Sequence, residues 1–353
     1  MAGMLETRDA QWLLEQPLPK RSWLVEDLIS SGLVLLVGAP KIGKSWASLQ
    51  LALAVSTGQP FLGFATTQGD VLYLCLEDTF QRVQQRLFRL TDEANDRLHF
   101  AVSAEKLRCG LVEQLEVFAD ARPGLRLVIV DTFQAVRVPT AESAYKADYG
   151  DLGELKRFGD ERGITVMAVH HTRKMGDPSD VFNTVSGTNG ITGSADETMV
   201  LAKANRYDGT ATLNVTGRDV EMAEYRLRFR DCRWEFVERT SEEELEEREV
   251  PAAVLTVLDF MAGNVTGWRG TATKLMTDAG IDGIRPNVLS KLLNEHSGFM
   301  AARGVCFSSE RTSASRMLVL ENVPPNNPKG ENCGDSKQPD LCAQHSNQML
   351  ARM

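Results

Sequence analysis

The chain has 353 residues, 42% hydrophobic and 25% charged, with a formal net charge of −9. That length accommodates one large domain beside a small one, or two medium ones, and the composition excludes global disorder, collagen and a disulfide scaffold. The acidic total argues against a bulk basic coat for nucleic acid while leaving room for a local basic lining. No apolar run approaches the roughly 18–20 residues that cross a bilayer. The opening MAGMLETRDA lacks a basic stretch followed by an apolar one. Cys75, Cys109, Cys232, Cys306, Cys333 and Cys342 form no C-x-x-C pair. We therefore expect a cytoplasmic protein with reduced thiols and no membrane partner.

Residues 1–31 are a mixed lead-in containing Pro17, Pro19, Trp12 and Trp23. From Leu33 the pattern becomes apolar strand, turn, helix, repeated. LVLLVG (33–38) predicts a buried strand and KSWASLQLALAVSTG (44–58) a helix. VLYLCLE (71–77) predicts a second strand and DTFQRVQQRLFRL (78–90) an amphipathic helix. LRLVIVD (125–131) and ITVMAVHH (164–171) predict two more strands flanking a helix over 145–163, with Leu152, Leu155 and Phe158 as its buried stripe. Strands that are apolar throughout and alternate with helices predict a parallel sheet covered on both faces. Beyond 196, TMVLAKA (198–204) and TATLNVTG (210–217) flank YDG (207–209) as a β-hairpin, and RLRFRD (226–231) and RWEFVE (233–238) read as further edge strands. TSEEELEEREV (240–250) carries six acids against one arginine and reads as a solvated linker or the polar start of a helix. Residues 251–263, 270–280 and 285–300 predict three helices, and 305–323 predict strand, polar loop, strand. That order is the order of a winged helix. After Pro324 apolar content nearly vanishes, as in a disordered tail.

The strongest motif is GAPKIGKS, which matches G-x-x-x-x-G-K-[ST] between a strand and a helix. Gly38, Ala39, Pro40, Lys41, Ile42 and Gly43 would curl so that backbone N–H groups cradle a phosphate at the helix N-terminus. Lys44 would reach the β- and γ-phosphates, and the Ser45 hydroxyl would ligate Mg²⁺, with Trp46 completing the nucleotide-binding run. LRLVIVDT ends its strand in Asp131, a second Mg²⁺ ligand at the carboxyl edge of the sheet. VLYLCLED ends in Glu77, which reads as the base that orients water; the other reading is a cap on the next helix, where Asp78 is also a plausible N-cap. His170 and His171 end the next strand and face opposite ways, so at most one serves as a γ-phosphate sensor, with a metal site as the weaker alternative. Lys203, Arg206 and Arg218 follow the parallel strands as candidate arginine fingers or as solvated edge charges.

The order of these motifs resembles the RecA-like ATPases and, more narrowly, the RepA-type plasmid and phage replicative helicases within the wider DnaB/RecA-like group. The resemblance covers roughly residues 20–240 and is carried by GAPKIGKS, LYLCLEDT, LVIVDT, VHHTRK and SGTNGITGSADETMVL. It implies an α/β fold with a mainly parallel twisted sheet and a β-hairpin edge extension. It also implies ATP and Mg²⁺ as cofactors, Glu77 as catalytic base, His171 as sensor, and Arg218 or Arg206 acting on a neighbouring subunit's ATP. It further implies a hexameric ring moving on single-stranded DNA, which the polar stretch 175–190 would contact. Residues 251–322 depart from the bare RepA-type domain and resemble a winged-helix module of mobile-element ATPases. There Arg285, Asn287, Ser290 and Lys291 would touch duplex DNA, with Arg311 and Arg316 on the wing. The expected organisation is an ATPase domain over 1–239, an acidic linker over 240–250, a small α+β winged helix over 251–323 and a tail over 324–353. The expected function is a DNA-dependent ATP-driven motor. A non-motor ATP-switched DNA-binding regulator or loading factor is the alternative, and a small-molecule kinase on the same loop is a third reading.

Overall fold

The computed structural model describes residues 7–17, 22–93, 96–139, 143–173, 180–187, 189–203, 205, 209–264, 266–311 and 316–323. Arg206, most of the YDG turn, part of the 175–190 stretch and the expected tail lie outside the described residues. The chain divides into two compact units, Met1–Leu245 and Glu246–Met353.

The larger unit opens with α1 (Ala10–Glu15), β1 (Trp23–Val25) and β2 (Ile29–Ser30). There follow β3 (Gly32–Gly38), α2 (Lys44–Thr57), β4 (Asp70–Cys75), α3 (Phe80–Leu90), β5 (Leu98–Ala101) and α4 (Leu111–Asp120). Next come β6 (Leu125–Asp131), α5 (Phe133–Val136), α6 (Ala144–Arg162) and β7 (Thr165–His171). A 3-10 turn (Val181–Thr184) and α7 (Asn189–Ser194) lead to β8 (Glu197–Ala202), β9 (Thr210–Gly217), β10 (Ala223–Arg230) and β11 (Arg233–Ser241). Nine of these strands form one sheet in the order β11-β10-β9-β8-β3-β7-β6-β4-β5. The strands from β8 to β5 run parallel, and β9, β10 and β11 extend the sheet antiparallel.

Period-two alternation along the parallel strands sends their apolar side chains to two separate cores. Val34, Leu36, Tyr73, Cys75, Ile129 and Val169 pack with α2 and α3. Leu35, Val37, Leu74, Val130 and Ala168 pack on the other face with Leu115 of α4 and with Leu152, Leu155 and Phe158 of α6. Polar termini fix the helices in place. The Ser143 side chain accepts from Lys146 N at the start of α6, and Gly163 closes that helix in the left-handed region.

The acidic run is a helix, α8 (Glu242–Glu249), and crosses the boundary between the units. Its start is a reciprocal cap: Glu244 N donates to Ser241 Oγ, and Ser241 N donates to Glu244 Oε2 at 2.8 Å.

The smaller unit contains α9 (Ala252–Ala262), β12 (Trp268–Gly270), α10 (Ala272–Ala279), α11 (Pro286–Glu295), α12 (Ser297–Ala302), β13 (Val305–Arg311) and β14 (Arg316–Asn322). The strands form an antiparallel sheet ordered β12-β14-β13. Val254, Val257 and Met261, one face of α9, meet Leu289 and Leu293 of α11 and Leu318 and Leu320 of β14 in its core. The predicted helix over 285–300 is broken at His296, whose φ of −102° and ψ of 19° end α11 and begin α12.

Candidate active site

The sheet order brings the ends of β3, β7, β6 and β4 to one carboxyl edge, and register decides which side chains meet there. Gly38 pairs with His171, Asp131 with Val169, and Cys75 with Asp131. Asp131 lies in step with Ile129 and His171 with Val169, so both belong to the α2 face.

The phosphate-binding loop runs from Gly38 to Ser45. Lys41 adopts a φ of 63°, and Gly43 a φ of 113° immediately before α2. A Cβ at Gly38 would lie 2.7 Å from the Leu201 carbonyl oxygen, so the neighbouring β8 backbone demands glycine there. Ile42 N donates to the Ala39 carbonyl at 3.4 Å across Pro40. Lys44 is buried, and its ammonium donates to the Gly38 carbonyl at 2.7 Å and to the Ala39 carbonyl at 3.1 Å. Burial lowers its pKa to about 8, opposed by the carboxylates of Asp131 and Glu77.

Lys44 Nζ also lies 3.3 Å from His171 Nδ1. An ammonium can only donate, so Nδ1 accepts and Nε2 carries the imidazole proton. Burial, and then the Lys44 charge, depress the His171 pKa and favour that neutral form. His170 faces the other core. Its Nε2 lies 2.9 Å from the Ser186 carbonyl oxygen, and its ring meets Phe133 edge-on. The pair thus separates as alternation requires, with His171 on the phosphate-loop side. Among the described residues no three His, Cys, Asp or Glu side chains gather to hold a metal, so the metal reading of the histidines has no donor set.

Asp131 is buried and accepts from the Tyr73 hydroxyl at 2.8 Å. Burial raises its pKa, while hydrogen bonds from Tyr73 and Ser45 pull the other way. Glu77 does not cap α3. Its Oε1 accepts from Thr132 Oγ1 at 2.8 Å, beside Asp131. Thr79 is the N-cap, and Asp78 instead pairs with Arg82 at 2.9 Å and with Arg86.

The residues present fit a nucleotide triphosphate and a hard divalent cation. Lys44 bears a desolvation penalty that a phosphate anion would offset. Ser45 and Asp131 offer the oxygen ligands that Mg²⁺ takes. Trp46 is half-buried next to them, its ring 6.5 Å from Phe229 and 5.9 Å from the Arg86 guanidinium.

The basic residues divide. Lys203 lies at the carboxyl edge, its ammonium 5.2 Å from the Trp234 ring centre. Arg218 follows β9 at the end where Gly217 pairs with Glu197, at the start of β8. It therefore sits at the opposite edge of the parallel strands and does not join this chain's own phosphate loop. Its guanidinium lies 3.6 Å from Asp196.

Sequence reasoning missed Tyr73, Thr132 and Trp234. A tyrosine inside a wholly apolar strand was a usable signal, because a buried phenol needs a partner. Nothing in the local sequence around Trp234 announces its contact with the loop.

An AAA-domain family model matches residues 3–177, just under half of the chain. No curated protein matches it. A solved DnaB-like replicative helicase, determined for its interactions with primase, aligns at 15% identity and a TM-score of 0.50, covering 59% of this chain and 57% of that one. The chain thus spans a little over half of that relative's length. A KaiC-like protein of the archaeon Pyrococcus horikoshii OT3 aligns at 12% identity and a TM-score of 0.46, covering 62% of this chain and 99% of that one. The likeness to the DnaB-like structure shows a shared fold, and the AAA-domain match spans the segment that holds the phosphate-binding loop. Among the described residues no helix is long and apolar enough to cross a membrane.

Proposed function

We propose that the chain is an ATP-hydrolysing, DNA-dependent RecA-like motor, a replicative helicase or helicase-like ATPase of a plasmid, phage or integrated element. The observation that carries the reading is the convergence of Lys44, Ser45, Asp131, Glu77 and His171 at one sheet edge, where Lys44 meets His171, Ser45 bonds Asp131, and Glu77 bonds Thr132 next to Asp131. Lys44 and the loop amides hold the phosphates, and Ser45 and Asp131 hold Mg²⁺, which supplies charge neutralisation on the phosphates. Glu77 orients water, with Thr132 Oγ1 fixing one of its oxygens. His171, a neutral donor through Nε2, reports the terminal phosphate. Arg218, on the far edge from its own loop and largely exposed, suits action on a neighbouring subunit's ATP in a homo-oligomeric ring, as the helicase resemblance implies for a hexamer.

Single-stranded DNA is the partner for the 175–190 stretch. The smaller unit, with α10 and α11 followed by the β13–β14 hairpin, serves as a winged helix for duplex DNA. Arg285 and Asn287 lie at the start of α11, and Arg311 and Arg316 at the hairpin end. Its seven Lys/Arg against six Asp/Glu over 251–322 make each contact weak, so strength would come from several subunits acting together.

The test is ATP hydrolysis by the full chain with and without single-stranded DNA. DNA-stimulated turnover that Lys44→Ala abolishes is expected. Turnover untouched by that change would overturn the phosphate-loop assignment, and turnover indifferent to DNA would overturn the DNA-dependent motor. Strand displacement on a forked substrate separates the motor from the non-motor switch.

A further inference from the structure

The phosphate-binding loop ends in the most pliable residue available, and one side chain from the far end of the sheet grips it there. Gly43 carries a φ of 113°, which other residues seldom adopt. A Cβ on it would stand 2.8 Å from Cζ2 of Trp234, so the indole lies directly against the glycine. Trp234 Nε1 donates to the Gly43 carbonyl at 3.1 Å, the same oxygen that accepts from Ala47 N in the first turn of α2.

Trp234 is itself held on every side. The Gln50 side-chain amide, from α2, clasps its backbone twice: Gln50 Nε2 donates to the Trp234 carbonyl and Trp234 N donates to Gln50 Oε1, both at 2.9 Å. Phe229, its register partner on β10, places its ring 4.8 Å away. The Lys203 ammonium lies 5.2 Å from the indole centre. The side chain is 1% exposed.

We propose that Trp234 is a positioning residue for nucleotide binding, holding the end of the phosphate-binding loop in its binding shape from the antiparallel extension of the sheet. The reasoning rests on the peptide plane. The Gly43–Lys44 peptide is rigid and trans, so its carbonyl and the Lys44 N–H point in opposite directions. Fixing the carbonyl fixes the N–H, one of the amides of the cradle, and fixes where the Lys44 side chain begins. Without the indole, the glycine regains freedom that the nucleotide must then remove on binding, and affinity falls. The proposal rests on the nucleotide-binding reading above and adds to it that β11, which contributes no phosphate ligand, sets the affinity.

The experiment uses the full-length protein, titrated calorimetrically with Mg²⁺-ADP. Trp234→Phe keeps an aromatic ring and removes the donor. It is expected to weaken binding about 3- to 10-fold, the factor carried by one neutral hydrogen bond. The melting temperature without nucleotide falls as well, because a buried ring is shortened and a hydrogen bond is lost, while kcat at saturating ATP changes less than about twofold. Gln50→Ala releases the clasp without touching the ring, is expected to shift affinity in the same direction, and carries the test alone if Trp234→Phe fails to fold. Unchanged affinity in the folded variants would overturn the proposal, as would a loss confined to the melting temperature, since a purely packing role predicts that. A wild-type protein that binds no nucleotide overturns the phosphate-loop reading instead, which keeps the two failures distinct.

Discussion

Replacing Tyr73 with phenylalanine removes a single oxygen from the larger unit. The ring keeps its place beside Phe100, 5.9 Å away. What disappears is the hydroxyl that donates to Asp131 Oδ2 at 2.8 Å. Both residues are buried, so water does not readily take over the vacated role. A hydrogen bond to an ionised acceptor contributes about 1.5–3 kcal/mol. For a unit of this size each kcal/mol moves the melting temperature by about 2–4 °C, so Tyr73→Phe should lower it by roughly 3–12 °C. A double-mutant cycle with Asp131→Ala, read by urea unfolding without nucleotide, isolates the bond. In the Asp131→Ala background the phenol has already lost its acceptor, and the second substitution should be nearly neutral. A coupling below about 0.5 kcal/mol, the scatter expected for independent sites, would refute the account.

Glu77→Gln should bind Mg²⁺-ATP like the wild type and lose hydrolysis, and normal turnover would move the base elsewhere. Arg137→Met strips the guanidinium from Asp148, 2.7 Å away, and from Asp151, 3.0 Å away, both buried. Because Asp151 keeps Arg108 at 3.0 Å, we expect a loss near the lower end for a broken buried pair, about 3 kcal/mol by urea unfolding. A change under about 1 kcal/mol, the worth of a surface pair, would show that the cluster is solvated. His170 has its pKa lowered by burial, so the folded chain resists a proton that the unfolded chain accepts at the ordinary value of about 6.5. Its contribution to stability is therefore full above that value and is lost as pH falls through it toward the folded pKa. His170→Gln should show a shallower fall in urea midpoint between pH 7 and 5 than the wild type, and parallel slopes would contradict this.

What could be read from the residues was whatever repeats or ends abruptly. The central parallel strands are continuous apolar runs because both faces are covered, and β4, β6 and β7 stop at or just before an acid or a histidine at the working edge. Period two alone separated His170 from His171. Short or distant features escaped. The strand Leu98–Ala101 spans four residues, too few to show a period, and its edge position leaves His99 and Phe100 partly exposed. The glutamate run over 242–249 read equally as linker or helix, although Ser241 and Glu244 already had capping-box spacing. In β11 the alternation fails beyond Trp234, where the register with β10 shifts between Arg226 and Leu227 and leaves Phe236 and Val237 both exposed. Trp234 itself meets Gly43 across 191 residues, a distance that no local pattern encodes.

Asp196 accepts from Leu33 N at 3.0 Å and from the Lys156 ammonium, and Arg218 is a third, more distant neighbour on a largely exposed side chain. The buried carboxylate therefore keeps a backbone donor and an ammonium, the latter shared with Asp160, before the arginine is counted. Swinging Arg218 outward would forfeit only a solvent-screened attraction of about 0–1 kcal/mol, and it would not strand a bare negative charge in the interior. Tethered this way, the guanidinium is parked rather than committed. A passing anion of modest strength would be enough to draw it off, and Asp196 would keep joining β3 to α6 after it left.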